Sequence, residues 1–292
     1  MKKSIFTYFL ALLGIVAISS CSDDEGTAIG NDSKPAATVY QYPVTSSDGD
    51  YSTDSDVRIR IATNNKVENA YYLAETVTAK EAYISSNGED GYNQYVVSKG
   101  IKVTFSDGVA DIIVTDLFGN NAITVVAEGK NGELTSQETT FYGYKWNDIC
   151  TGRLYARFLT GGSGQAWKTG LTLQRRDDDP TIYRIKDAYG KGAHVFIYTQ
   201  GDPTIESGDY YDGLVTITEG VEYTTITIPT VATPYTYSTY GTVSVTDYAT
   251  YTPDESYLYY NRLYDNNFIA AYCRYSVSVG VITSNFVYFD PD

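Results

Sequence analysis

Catalysis through an imidazole would have to use His194, the one histidine in the chain. It stands in Gly192-Ala193-His194-Val195-Phe196, at an expected strand start. A histidine in that position more often serves structure than chemistry. No serine lies in a Gly-x-Ser-x-Gly elbow. Zinc needs clustered histidine and cysteine, and the chain has neither the cluster nor the spacing. Gly161-Gly162-Ser163-Gly164 lacks the Lys-Ser/Thr that completes a phosphate-binding loop, so it reads as a flexible turn. Carboxylates number 36. A glycan hydrolase needs only two, one as acid and one as base or nucleophile, so their abundance singles out no pair. The densest internal run, Asp177-Asp178-Asp179-Pro180, follows Arg175-Arg176. Asp177 and Asp179 are the candidate ligands for calcium, which takes carboxylate and carbonyl oxygens. The flanking arginines make a self-neutralised hairpin turn the simpler reading, and no other cofactor is expected.

Aromatic side chains offer a better lead. The chain has 30 tyrosines and two tryptophans. Most should fill and flank β-sheets, but rings in loops can stack on the C–H faces of sugars. Trp167 follows the glycine-rich turn. Tyr210 and Tyr211 lie in the acidic stretch Asp209-Tyr210-Tyr211-Asp212-Gly213. Tyr235, Tyr237 and Tyr240 alternate with Thr and Ser beside a proline. These six are the candidate glycan-binding residues. Trp146, at the expected junction of two modules, reads as packed.

Cys21 has a chemistry of its own. Met1-Lys2-Lys3 is followed by an uncharged, apolar run from Ile5 to Ile18. That run is too short to span a bilayer, which takes about 20 residues. It fits the core of a secretory signal. The small residues Ser19-Ser20 before Cys21 suit cleavage by a lipoprotein signal peptidase, which leaves the thiol carrying a diacylglycerol. Beyond it, Cys150 and Cys273 share parity with apolar neighbours, Leu154, Ala156 and Phe158 for one, Ile269, Ala271 and Val277 for the other. Buried free thiols are expected, with a disulfide as the alternative open to an exported chain.

Ser22-Asp23-Asp24-Glu25, directly after Cys21, resembles the surface-export signal of Bacteroidota lipoproteins. The resemblance implies an outer-membrane lipoprotein facing outward, its partner being the membrane through the lipid anchor. Contacts with other outer-membrane proteins stay unidentified. Removing residues 1–20 takes away Lys2 and Lys3 and no acid, leaving 19 bases against 36 acids, a net −17. Such a charge repels phosphate backbones and excludes nucleic acid as a partner.

These residues must be carried by an all-β chain. The 271 residues after Cys21 suffice for about two domains at ~100–200 residues each. Residues 1–20 are the signal. Residues 21–37 form a tether, small and polar from Gly26 to Ala37. Residues 38–142 form a first module in which Val57-Arg58-Ile59-Arg60-Ile61 alternates cleanly. Strands are expected at Ala70–Ala74, Ile101–Phe105, Val109–Thr115 and Ile123–Glu128, separated by Gly- and Asn-rich turns. Thr78-Ala79-Lys80-Glu81 has capping-box spacing, and Gly100 can end a second short helix after Tyr92–Ser98. A helical insert between strands follows. The stretch from Val114 to Ala127 resembles the late strands of immunoglobulin-like or fibronectin type III-like domains, which implies a spacer without catalytic residues.

Residues 143–292 read as a second antiparallel module, a β-sandwich or jelly-roll-like fold. Its expected strands are Arg153–Leu159, Leu171–Gln174, Thr181–Ile185, Val195–Thr199, Leu214–Thr218, Thr224–Ile228, Gly241–Val245, Tyr257–Tyr260, Phe268–Val281 and Phe286–Phe289. A bend or bulge is expected near Arg274. The functional expectation is a non-catalytic surface lipoprotein with a glycan-binding distal module. The alternatives are a fimbrial or adhesin-type structural subunit and a carboxylate-based glycan hydrolase. The first arginine after Cys21 is Arg58, inside an expected core strand, which disfavours a pilin matured at an arginine.

Overall fold

The computed structural model describes residues 34–292 except positions 161, 209, 212, 213, 215, 218 and 254. Cys21 and Ser22-Asp23-Asp24-Glu25 lie outside the described residues. No described helix is long and apolar enough to cross a membrane. The chain divides between Tyr142 and Gly143 into two compact units.

Among the described residues the first unit contains seven antiparallel strands and one α-helix: β1 (Ala37–Pro43), β2 (Val57–Thr63), β3 (Val67–Thr76), α1 (Val77–Lys99), β4 (Ile101–Lys102), β5 (Val109–Val114), β6 (Gly119–Gly129) and β7 (Leu134–Gly143). They form two sheets, β1-β2-β5 and β4-β3-β6-β7, in the order of an immunoglobulin-like sandwich. The alternation in β2 sets the inside. Val57, Ile59 and Ile61 point into a core shared with Ala70, Ile123, Val125 and Ala127. Arg58 and Arg60 turn outward, and Arg60 pairs with Asp111 of the neighbouring strand at 2.8 Å. Burying each isoleucine contributes about 1.5–3 kcal/mol.

β6 is buried on both faces because α1 covers the side away from the core. Tyr92 and Val96 pack there against Val126, with Tyr71 and Leu73 beside them. The helix begins at Thr76, whose hydroxyl accepts from the Ala79 N–H. The cap is therefore two residues before the Thr78 signal, because β3 runs directly into the helix. Gly88, at φ 73°, kinks it. Gly100 ends it as expected, at a position where a Cβ would stand 2.6 Å from the carbonyl oxygens of Tyr72 and Val96.

Several expected boundaries move. The last residues of the expected tether are tied into the fold. The Pro35 carbonyl accepts from Thr135, Ala36 exchanges bonds with Asn64, and Ala37 is a buried strand residue. Of Ile101–Phe105, only Ile101–Lys102 pairs as a strand.

The second unit is antiparallel β with short helical turns, as its strand pattern leads one to expect, and its main sheet closes on itself. Its strands are β8 (Trp146–Arg157), β9 (Gln165–Arg176), β10 (Ile182–Ile185), β11 (Val195–Ile205), β12 (Tyr210–Tyr211), β13 (Thr216–Ile217), β14 (Glu222–Thr227), β15 (Val231–Thr236), β16 (Thr242–Asp247), β17 (Arg262–Tyr264), β18 (Ile269–Val277) and β19 (Gly280–Pro291). A single helical turn, α2 (Tyr248–Tyr251), follows β16. The ladder runs β8-β9-β10-β11-β14-β17-β18-β19, and β19 pairs with both β18 and β8. Neighbours in space are neighbours in sequence, apart from the β12–β13 and β15–β16 hairpins, so the sheet closes as a meander barrel.

One position in the wall is shared. β17 flanks the first half of β18 at Arg262↔Ala270, and β16 flanks the second half at Ser244↔Ser276 and Asp247↔Cys273. Asp247 makes the junction. Its fully buried carboxylate accepts from the Ile228 N–H at 2.8 Å and from the Thr250 N–H at 2.8 Å, joining the end of β14 to β16 and starting α2.

Inward positions fill the barrel with side chains, among them Leu154, Leu173, Ile197, Val245, Tyr275 and Phe289. Tyr189 closes over this core from the β10–β11 loop. The outer face carries a second layer of rings, in which Tyr264, Phe268 and Tyr288 are buried beside Tyr155, Trp167, Tyr223 and Phe286. Cys273 is inside the barrel, Cys150 is partly buried against the same core, and both are free thiols.

Three strand readings change here. Tyr257–Tyr260 lies in a 3-10 turn, Glu255–Tyr260. Among the described residues of the Leu214–Thr218 reading, Thr216–Ile217 pairs with Tyr210–Tyr211. Phe268–Val281 is a hairpin: the register shifts at Tyr275/Ser276, next to the expected bend, but the chain reverses at Ser278-Val279, where Val277 faces Gly280.

Candidate functional site

The six aromatic candidates do not gather in one place. Trp167 sits on the outer barrel wall, its ring 5.1 Å from Tyr155 and covered by the Arg153 guanidinium at 4.4 Å. The guanidinium covers one face of a ring that is only partly exposed. Tyr235 packs on Phe158, at 4.8 Å, against the barrel core. Tyr210 and Tyr211 form β12, and their side chains lie outside the described residues. Trp146 lies under Arg184 at 4.1 Å and beside Phe196 at 6.0 Å.

Tyr237 and Tyr240 do come together. The β15–β16 hairpin turns through Ser238–Tyr240, where the Tyr240 N–H donates to the Tyr237 carbonyl and the Tyr237 N–H to that of Gly241. Gly241, at φ 94°, supplies the left-handed residue that closes the turn. β16 lies beside β18, so this turn and the Ser278-Val279 turn share one end of the barrel. Ser278 Oγ donates to the Tyr240 carbonyl at 3.2 Å and ties the two together. The tyrosine rings stand 6.4 Å apart and only 24° from parallel. With Val277, Val279, Gly280, Val281 and Ile282 they border a hollow of about 260 Å³. Val279 is 72% exposed, Tyr240 50% and Val281 43%. Nearly parallel rings bordering a hollow that valine and isoleucine also line suit the C–H face of a sugar.

Sequence reading missed the floor of this hollow, because Val277 to Ile282 reads as a plain strand. The signal available was Val279-Gly280, a glycine interrupting an apolar run.

The carboxylates are held by structural donors. Asp177 accepts from Asn147 at 2.7 Å. Asp179 accepts from the Thr181 hydroxyl at 2.6 Å and its N–H at 3.0 Å, which, with the Arg176 charge, lowers its pKa from the usual carboxylate value. Asp178 pairs with Arg176 at 2.6 Å. No group of three metal-ligating side chains occurs among the described residues. The buried acids Asp56, Glu206 and Asp247 likewise each accept from neighbouring donors. His194 serves its own loop: Nδ1 accepts from the Asp187 N–H at 2.9 Å, which leaves the ring hydrogen on Nε2. Comparison of the chain with protein-family models, with characterised proteins and with solved structures gave no match.

Proposed function

We propose that the chain is a non-catalytic lipoprotein, anchored through Cys21 in an outer membrane and displayed outward, whose barrel captures glycan. The Tyr237–Tyr240 pair over its apolar hollow is the observation that carries this reading. The involvement of each buried acid with backbone or side-chain donors favours binding over carboxylate-based hydrolysis. The pairing of β1 with β2 of its own chain, from Ala37↔Thr63 to Pro43↔Val57, favours it over a subunit that exchanges its terminal strand.

A glycan array probed with a soluble Cys21→Ser chain tests the reading. Each of Tyr237→Ala and Tyr240→Ala should weaken the strongest signals by roughly threefold to tenfold, the worth of one aromatic contact. Trp167→Ala should leave the glycan preference as it was. A profile unchanged by either tyrosine substitution would refute a site at this tip.

A further inference from the structure

The hollow at the barrel tip is selective through what its lining lacks. Among the described residues that line it, none carries a charge, and the polar side-chain atoms are the phenol oxygens of Tyr237 and Tyr240. Ser278, in the adjoining turn, gives its one O–H to the Tyr240 carbonyl. The rest of the lining is branched aliphatic surface with Gly280 at the turn.

The β18–β19 hairpin supplies that surface. Tyr275 is fully buried in the barrel core, and Val277, two residues on, packs against the same core. After the turn, Ile282 returns to it. Val279 and Val281 stand beyond them and are exposed. The facing hairpin repeats the gradient: Tyr237 packs against the core, and Tyr240 is exposed. The hollow therefore leads from exposed valine and tyrosine to partly buried valine, isoleucine and tyrosine. At about 260 Å³ it falls below the ~300–1,000 Å³ usual for drug-sized ligands, so it suits one terminal sugar unit better than a length of chain.

A sugar laid against the tyrosine rings must also present a group to the aliphatic surface. A hydroxyl placed there gives up its water and gains no partner, which is costly. A methyl group covers apolar surface and releases water instead. Ordinary hexoses carry a hydroxymethyl group at C5, whereas 6-deoxyhexoses carry a methyl there. A lining without bases likewise offers no counter-charge to a sugar acid.

We propose that the tip selects a terminal 6-deoxyhexose, with its C–H face on Tyr237 and Tyr240 and its methyl against Val279 and Val281. The assignment rests on the glycan reading above and names the sugar class for that site.

NMR titration of the soluble Cys21→Ser chain with matched methyl glycosides tests it. L-Fucose and L-galactose differ only by the C6 hydroxyl, as do L-rhamnose and L-mannose. In at least one pair the 6-deoxy member should bind roughly tenfold more tightly, less than the ~hundredfold of a closed apolar pocket because this hollow is open. Val279→Ser, on an exposed turn, should bring that pair to near-equal affinity without changing the melting temperature. Tyr240→Ala should weaken both members and keep their ratio. If array signals depend on Tyr240 but neither pair shows the preference, or if the preference survives Val279→Ser, the sugar class is overturned and the glycan site stands. A Tyr240-dependent preference for N-acetylglucosamine over glucose, with none for a 6-deoxy sugar, would assign the valine surface to an acetamido methyl and likewise overturn it. If no glycan depends on Tyr237 or Tyr240, the site and its sugar class fall together.

Discussion

Arg262 lies between the rings of Tyr223 and Tyr259, 4.4 Å from each, and pairs with Glu206. Tyr264 links the two, accepting from Arg262 at 3.3 Å and donating to Glu206 at 3.2 Å. Both charged side chains are buried, so each depends on the other for its solvation. Glu206→Gln should therefore cost about 3–5 kcal/mol in urea denaturation, because it leaves a buried guanidinium uncompensated. A wild-type midpoint would show that the pair is dispensable. The thiols make a second case. Burial pushes the Cys273 pKa well up, and the Asp247 charge adds to it; burial and the Asp292 charge raise Cys150 less. Raised values favour the neutral thiol in the fold, a contribution present below the ordinary thiol pKa and lost as pH climbs through the raised one. At pH 8, Cys273 in the Cys21→Ser chain should resist alkylation until urea unfolds the barrel. Prompt labelling of the native protein would contradict its placement in the core.

Among the elements, β8 and β19 meet in a tight seam. A Cβ on Gly152 would stand 2.6 Å from the Asp290 carbonyl oxygen and 2.6 Å from the Phe289 ring. Gly152→Ala should destabilise by about 1–3 kcal/mol through overpacking, whereas Gly162→Ala, with nothing within 4 Å, should be near neutral. Equal midpoints for the two would argue against closure at this seam. The elements misread from sequence share a cause. Glu255–Tyr260 has the aromatic content of a strand, yet its tyrosines join a ring cluster on the outer wall: Tyr257 meets Tyr248 at 4.2 Å, and Tyr260 meets Phe286 at 5.6 Å. Propensity was overruled by packing. Thr78 lost the cap to Thr76 because the length of β3, set by its pairing with β6, fixed where the helix starts.

For the whole molecule, the two units have separate cores, one around Ile59, Ile61 and Val125, the other around Leu173, Ile197 and Phe289. Ile59→Ala and Leu173→Ala should each cost about 2–5 kcal/mol, and each should lower a different transition in calorimetry. A single transition shifted equally by both would show that the units unfold together.

Much of this was legible in the residues themselves. The period-two pattern of Val57–Ile61 fixed which side of its strand is buried, Gly100 marked the helix end, and alternation placed Cys273 inside. Composition and alternation together favoured a mostly β chain, since local backbone preference and a two-residue repeat suffice to make strands. Closure did not follow from that pattern, because sandwich and barrel strands alternate alike and only non-local pairing of β19 with β8 and β18 tells them apart. Nor did the site. Tyr237, Tyr240 and Val279 meet because two hairpins share one end of the barrel, in a register that the tertiary structure sets.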